Sequence, residues 1–119
     1  MPFNKLIGLR VVRGHSDGVT IECAMRDQLK NIAGVMHGGV AATLADAAVG
    51  IALAHHFDGR RRCTTTDLKI NYLRPIAQGK IVARSHLVRI GKNLCVGRVD
   101  LSDAQRKLAA VAIVTYMLL

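Results

Sequence analysis

Residues 40–55, VAATLADAAVGIALAH, are rich in alanine and leucine, contain no proline, and wind into a helix that is apolar around its whole circumference. A surface helix keeps a polar face; a helix without one belongs in the middle of a structure, so the rest of the chain is expected to cover it. Gly38-Gly39 lets the backbone turn sharply into this helix, and Asp58-Gly59 stops it. Within residues 31–57, Asp46 is the only formally charged side chain when the histidines are neutral. A carboxylate among apolar neighbours is costly unless it is paired or put to use. Asp46 is therefore the first candidate for chemistry.

The covering layer reads as strands. Residues 9–13 and 19–25 form a pair across the His15-Ser16-Asp17-Gly18 turn. Residues 63–73 place Leu68, Ile70 and Tyr72 on one face and Asp67, Lys69 and Asn71 on the other, until Arg74-Pro75 ends the strand. Residues 80–90, 94–102 and 107–118 follow, joined by Gly91-Lys92-Asn93 and Asp103-Ala104-Gln105, and should form an antiparallel meander. The last strand is apolar on both faces and is expected to lie centrally in the sheet. At 119 residues the chain makes one domain, 1–119, of the α+β class: an antiparallel sheet wrapped around one buried helix. Aromatics make up only 3% of the residues, so the core is aliphatic.

Several functional classes recede at this stage. No uncharged apolar run reaches the ~18 residues of a membrane span, because Asp46 interrupts the best one. The N-terminal residues lack the apolar core and cleavage site of a signal peptide, so a cytoplasmic location is expected. Cys23, Cys63 and Cys95 are odd in number and widely spaced, which suits reduced thiols rather than disulfides or a metal site. The net charge of +9 invites nucleic acid, but the basic residues are dispersed and almost no aromatics interleave them for base stacking. Neither nucleic acid nor membrane is expected as a partner.

Helix geometry adds a constraint. The N–H groups of the first turn, at Gly38 and Gly39, lack intrahelical partners and suit an anion or a developing oxyanion. Asp46 lies eight residues beyond Gly38, about 12 Å along the axis at 1.5 Å per residue. A general base and an oxyanion donor serving one carbonyl both need to lie within roughly 3 Å of the reacting atoms. One helix does not supply both. If the two groups share a reaction centre, the second comes from another copy of the chain, as in a two-fold dimer with antiparallel helices.

The spacing Asn31-x-x-Gly34-x-x-His37-Gly38-Gly39-x4-Leu44-x-Asp46 resembles the signature of the hotdog-fold acyl-CoA thioesterases of the PaaI type. The segments LIGLRVVRG, TTTDLKINYLRPI and VRIGKNLCVGRVDL resemble the same family in order and spacing. The resemblance implies the hotdog fold, a homodimer often paired into a dimer of dimers, and active sites at the subunit interface. It implies Asp46 as the acid that activates water or attacks the thioester directly, and Gly38 as the backbone N–H that polarises the carbonyl. Asn31 and His37 match the polar residues beside it. Thr65 falls where the family often has a Ser or Thr that positions water, with Thr64 and Thr66 as alternatives. No metal or cofactor is implied, since coenzyme A enters as part of the substrate.

The basic excess then has a use, because coenzyme A carries a 3′-phosphate and a pyrophosphate. Arg60, Arg61, Arg62, Arg89 and Lys92 are candidates to grip them, with Gly39 beside the thioester. Plainer roles stand next to these. Asp46 is also compatible with a buried pairing to Asn31 or Arg98, His37 with capping the helix, and Asn31 with fixing its own loop. Gly50 reads as a packing residue that admits a neighbouring helix, and the cysteines as small core side chains. A non-catalytic acyl-CoA sensor and a hotdog dehydratase or hydratase remain as alternative functions.

Overall fold

The computed structural model describes residues 1–119. The elements are α1 (Pro2–Ile7), β1 (Leu9–His15), β2 (Gly18–Ala24), a 3₁₀ turn (Asp27–Leu29), α2 (Gly38–His56), β3 (Cys63–Tyr72), β4 (Lys80–Ile90), β5 (Leu94–Ser102) and β6 (Leu108–Leu118). The strands form one six-stranded antiparallel sheet in the order β1-β2-β4-β5-β6-β3. It packs its concave face on α2, which touches every strand from β2 to β6. The meander β4-β5-β6 forms as expected from its two tight connections.

Alternation along the strands builds the core. Val19, Ile21 and Cys23 of β2, Ile81 and Ala83 of β4, Cys95, Val99 and Leu101 of β5, and Ala110, Ala112 and Val114 of β6 are all buried. They meet Leu44, Ala45, Ala48, Val49, Ala52 and Leu53 of α2. Burying a leucine such as Leu44 or Leu53 stabilises by about 1.5–3 kcal/mol. Close approach of helix to sheet depends on Gly97 of β5, where a Cβ would lie 2.7 Å from Val49 Cγ2. Buried Ser85 of β4 accepts from Val19 N (3.0 Å) and donates to the Ala48 carbonyl (2.8 Å), tying strand to helix.

Three expectations change. The chain does not cover α2 on all sides: Thr43, Asp46, Ala47 and Gly50 are only half-buried and Ala54 is exposed, so one face stays open. Nor is β6 central, for it lies next to the edge, and its outward residues Ile113 and Met117 are exposed because no helix covers that face of the sheet. Finally, α1 was not foreseen. A six-residue segment is too short to show helical periodicity, although proline in its first turn and Gly8 closing it in the left-handed region (φ 82°) are start and stop signals. By length and composition α2 alone would pass for a membrane-crossing helix (mean hydropathy 1.4), and its packing makes it the core helix instead.

Strand β3 sits at the edge with its second side unpaired, and its register shifts between Thr65 and Asp67. The shift changes which alternate residues face the helix: Thr65 lies opposite buried Tyr116, yet Leu68 and Ile70 also turn inward. This irregularity delivers Thr65 to α2.

Candidate active site

The loop before α2 is closed by Asn31, whose Oδ1 accepts from the backbone N–H of Ala33 (2.9 Å) and Val35 (3.3 Å). Gly34 takes the left-handed turn within it (φ 81°), and His37 N donates to the Leu29 carbonyl (2.8 Å). Asn31 thus shapes the loop that delivers His37 and Gly38. His37 is the N-cap of α2, with an extended backbone (φ −61°, ψ 134°), and its Nδ1 accepts from Gly39 N at 2.9 Å. That bond places the ring proton on Nε2. The Gly39 N–H is consumed by the cap.

The Gly38 N–H is not. Gly38 is the first residue of α2, and its amide makes no hydrogen bond within the chain. Its carbonyl accepts from Tyr72 OH at 2.6 Å, and a Cβ at Gly38 would stand 3.2 Å from the tyrosine ring. Gly38 borders a cavity of about 320 Å³ together with Met36, Ala41, Tyr72, Arg74 and Ile76. A free N–H at a helix N-terminus suits developing negative charge on a carbonyl oxygen.

Asp46 lies two turns further along and borders a different cavity, of about 450 Å³, with Phe3, Thr43, Gly50, Cys63 and Tyr116. Thr65 Oγ1 donates to Asp46 Oδ1 at 2.6 Å, and Tyr116 OH lies 2.9 Å from the same oxygen. Oδ2 has no hydrogen bond within the chain, and Asp46 has no ion-pair partner. Neither Asn31 nor Arg98 touches it, so the buried pairing is not formed. Of the three threonines, Thr65 reaches the acid, whereas Thr66 bonds the Thr115 carbonyl. Burial, and secondarily the Asp46 carboxylate, pushes the Cys63 thiol up, which argues against Cys63 as a nucleophile.

Tyr116 was missed by sequence reasoning. The available signal was a lone hydroxyl in the inward row Ala110, Ala112, Val114, Tyr116 of β6. Gly50 has a role within the chain that the sequence did not show. Within the chain its close neighbour is the Tyr116 hydroxyl, 2.6 Å from a Cβ built there.

Among the basic candidates, the structure brings Arg60, Arg61, Arg62 and Lys92 to one end of the molecule. Arg61 donates to the carbonyls of Leu119 and Lys92 (both 3.1 Å) and stacks 5.8 Å from the Phe57 ring centroid, so its guanidinium has structural work. Arg60 makes a loose, exposed pair with Asp58 (3.9 Å), and Arg62, Arg89 and Lys92 are exposed. Arg60, Arg61 and Arg62 lead directly into Cys63, the start of β3 and the end of that strand nearest Asp46.

Residues 33–110 match the model of the thioesterase superfamily. The medium/long-chain acyl-CoA thioesterase YigI of Escherichia coli is 31% identical over 98% of this chain and 85% of its own length. A Haemophilus influenzae relative is 32% identical over 69% of this chain, and the match spans 59% of that relative. The crystal structure of a Haemophilus influenzae thioesterase superposes with a TM-score of 0.93 over 98% of this chain and 82% of its own at 24% identity, which speaks for the hotdog fold. With two thirds of its length matched by the family model and the same curled sheet around one helix, the chain belongs to the thioesterase superfamily.

Proposed function

We propose that this protein hydrolyses the thioester of a small or medium acyl- or aryl-CoA to the free acid and coenzyme A. The observation that carries the reading is the state of Asp46: one carboxylate oxygen is held by two hydroxyls, the other is free beside a cavity, and no cation neutralises it. As general base, Asp46 takes a proton from water while the water oxygen adds to the carbonyl carbon. The carbon–sulfur bond then breaks, and the thiolate leaves and is protonated as coenzyme A. As nucleophile, the same carboxylate adds to the carbonyl carbon, the carbon–sulfur bond breaks and the thiolate leaves to be protonated as coenzyme A, giving an anhydride that water hydrolyses to the free acid and the carboxylate. Both routes develop negative charge on the carbonyl oxygen, for which the Gly38 N–H is the donor.

In this reading the two groups come from different copies. Within one chain they border separate cavities. The unpaired edge of β3 and the half-open face of α2 offer a second copy a place to dock. Pairing two such edges about a two-fold axis sets the α2 helices antiparallel and carries one copy's Gly38 towards its partner's acid. The exposed Leu94, Ile113 and Met117 on the outer face of the sheet supply apolar area for joining dimers into a tetramer. His37 and Asn31 hold the Gly38 amide in place, Thr65 orients Asp46 and its water, and Arg60, Arg62, Arg89 and Lys92 supply positive charge for the coenzyme A phosphates, with Arg61 as their structural anchor.

Thiol release from octanoyl-CoA and phenylacetyl-CoA tests the reading. Wild type should turn over at least one of them, and Asp46→Asn should lower kcat by about 10²–10⁴-fold while still binding coenzyme A. Wild type that binds acyl-CoAs and releases no thiol would instead be a sensor.

A further inference from the structure

Tyr116 and Gly50 form a device around Asp46 that the proposed chemistry has not yet used. The Tyr116 hydroxyl lies 2.9 Å from Asp46 Oδ1 and also 2.9 Å from the Asp46 backbone oxygen. Its one proton is shared between these two acceptors in a three-centre bond, which ties the side chain of Asp46 to its own main chain and opposes rotation of the carboxylate. Thr65 approaches the same Oδ1, so Oδ2 is left as the carboxylate oxygen without a hydrogen bond, on a residue that lines the cavity.

The contact is built into the fold. Tyr116 is 7% exposed on β6, an interior strand held by β5 on one side and β3 on the other, whereas Thr65 belongs to the edge strand. A phenylalanine would fill the same space without burying a hydroxyl, so the oxygen is kept for its partners. Gly50 sits one turn after Asp46, inside a helix where alanine would be preferred by about 1 kcal/mol. A Cβ at position 50 would lie 2.6 Å from the Tyr116 oxygen, 3.3 Å from Cζ and 3.6 Å from Cε2, so the hydroxyl is the atom that glycine makes room for. Burial, with the Asp46 carboxylate contributing, also pushes the phenol up, which keeps it a donor.

We infer that Tyr116, seated by Gly50, is a positioning residue that holds Asp46 with Oδ2 facing the thioester. The inference rests on the hydrolytic reading above and adds to it which carboxylate oxygen reacts and what aims it. The hydroxyl's bonds run to Asp46, so its removal is expected to affect turnover more than binding.

The test compares wild type, Tyr116→Phe, Gly50→Ala, the double variant and Asp46→Asn, following kcat and KM for the better of octanoyl-CoA and phenylacetyl-CoA. Tyr116→Phe should lower kcat about tenfold with KM within about twofold. Gly50→Ala should produce a similar fall by displacing the hydroxyl, but less than about a further twofold when Tyr116 is already phenylalanine. That non-additivity separates aiming from general loosening of the helix, and it gives a second route if either single variant folds poorly. Near-wild-type kcat for Tyr116→Phe beside an inactive Asp46→Asn would overturn the inference and leave the hydrolytic reading standing. An equal effect of Gly50→Ala in both backgrounds would overturn the seat. Undiminished turnover by Asp46→Asn would remove the hydrolytic reading and this inference with it.

Discussion

Asp46 and Thr65 meet at 2.6 Å although nineteen positions separate them, and that bond makes the threonine hydroxyl, not its bulk, the relevant feature. Thr65→Val keeps the β-branched shape suited to an edge strand and removes the donor, so kcat should fall about tenfold, and Thr65→Ser should restore most of it; steady-state thiol release decides. Asp46 was legible in the sequence because a charge in an apolar helix is conspicuous, and Thr65 was legible through family spacing. Tyr116 was not. Its contact spans 70 positions, and in sequence it is only an aromatic residue in an apolar strand. Asn31 and His37 show the opposite case: their polar atoms were visible, but their loop-closing and capping bonds emerge only once Gly34 and the helix start are folded.

At the level of elements, β5 admits α2 only because position 97 has no side chain. Gly97→Ala would drive a methyl into Val49, and thermal or denaturant unfolding should register a loss of about 1–3 kcal/mol. The β1–β2 turn is held differently. Hydrogen bonds from Arg84 and then His86 hold the Asp17 carboxyl down at about 2, below its ordinary 3.8. The unfolded chain therefore binds more protons in this range, so the turn's contribution is complete above pH 4 and is lost as pH falls towards 2. Asp17→Asn should flatten that part of a melting-temperature profile. Strand positions were readable from alternation and turn residues, and four of the six strands begin at the residue expected. Sheet order was not, since nothing local in β3 or β6 reports which strand takes the edge.

For the whole molecule, the unfinished features coincide: a free sheet edge, an open helix face, and an amide and a carboxylate bordering separate cavities. A second copy is the economical completion. Gly38 is the first helical residue and follows an extended His37, a setting in which proline fits the backbone and deletes the N–H. Gly38→Pro and Asp46→Asn, each expected to be inactive alone, can therefore be co-expressed and the mixed oligomers assayed for thiol release. With a shared site, half the dimers are mixed and each regains one intact centre, so turnover should return to about a quarter of wild type. A mixed preparation as inactive as its two parents would contradict the shared site.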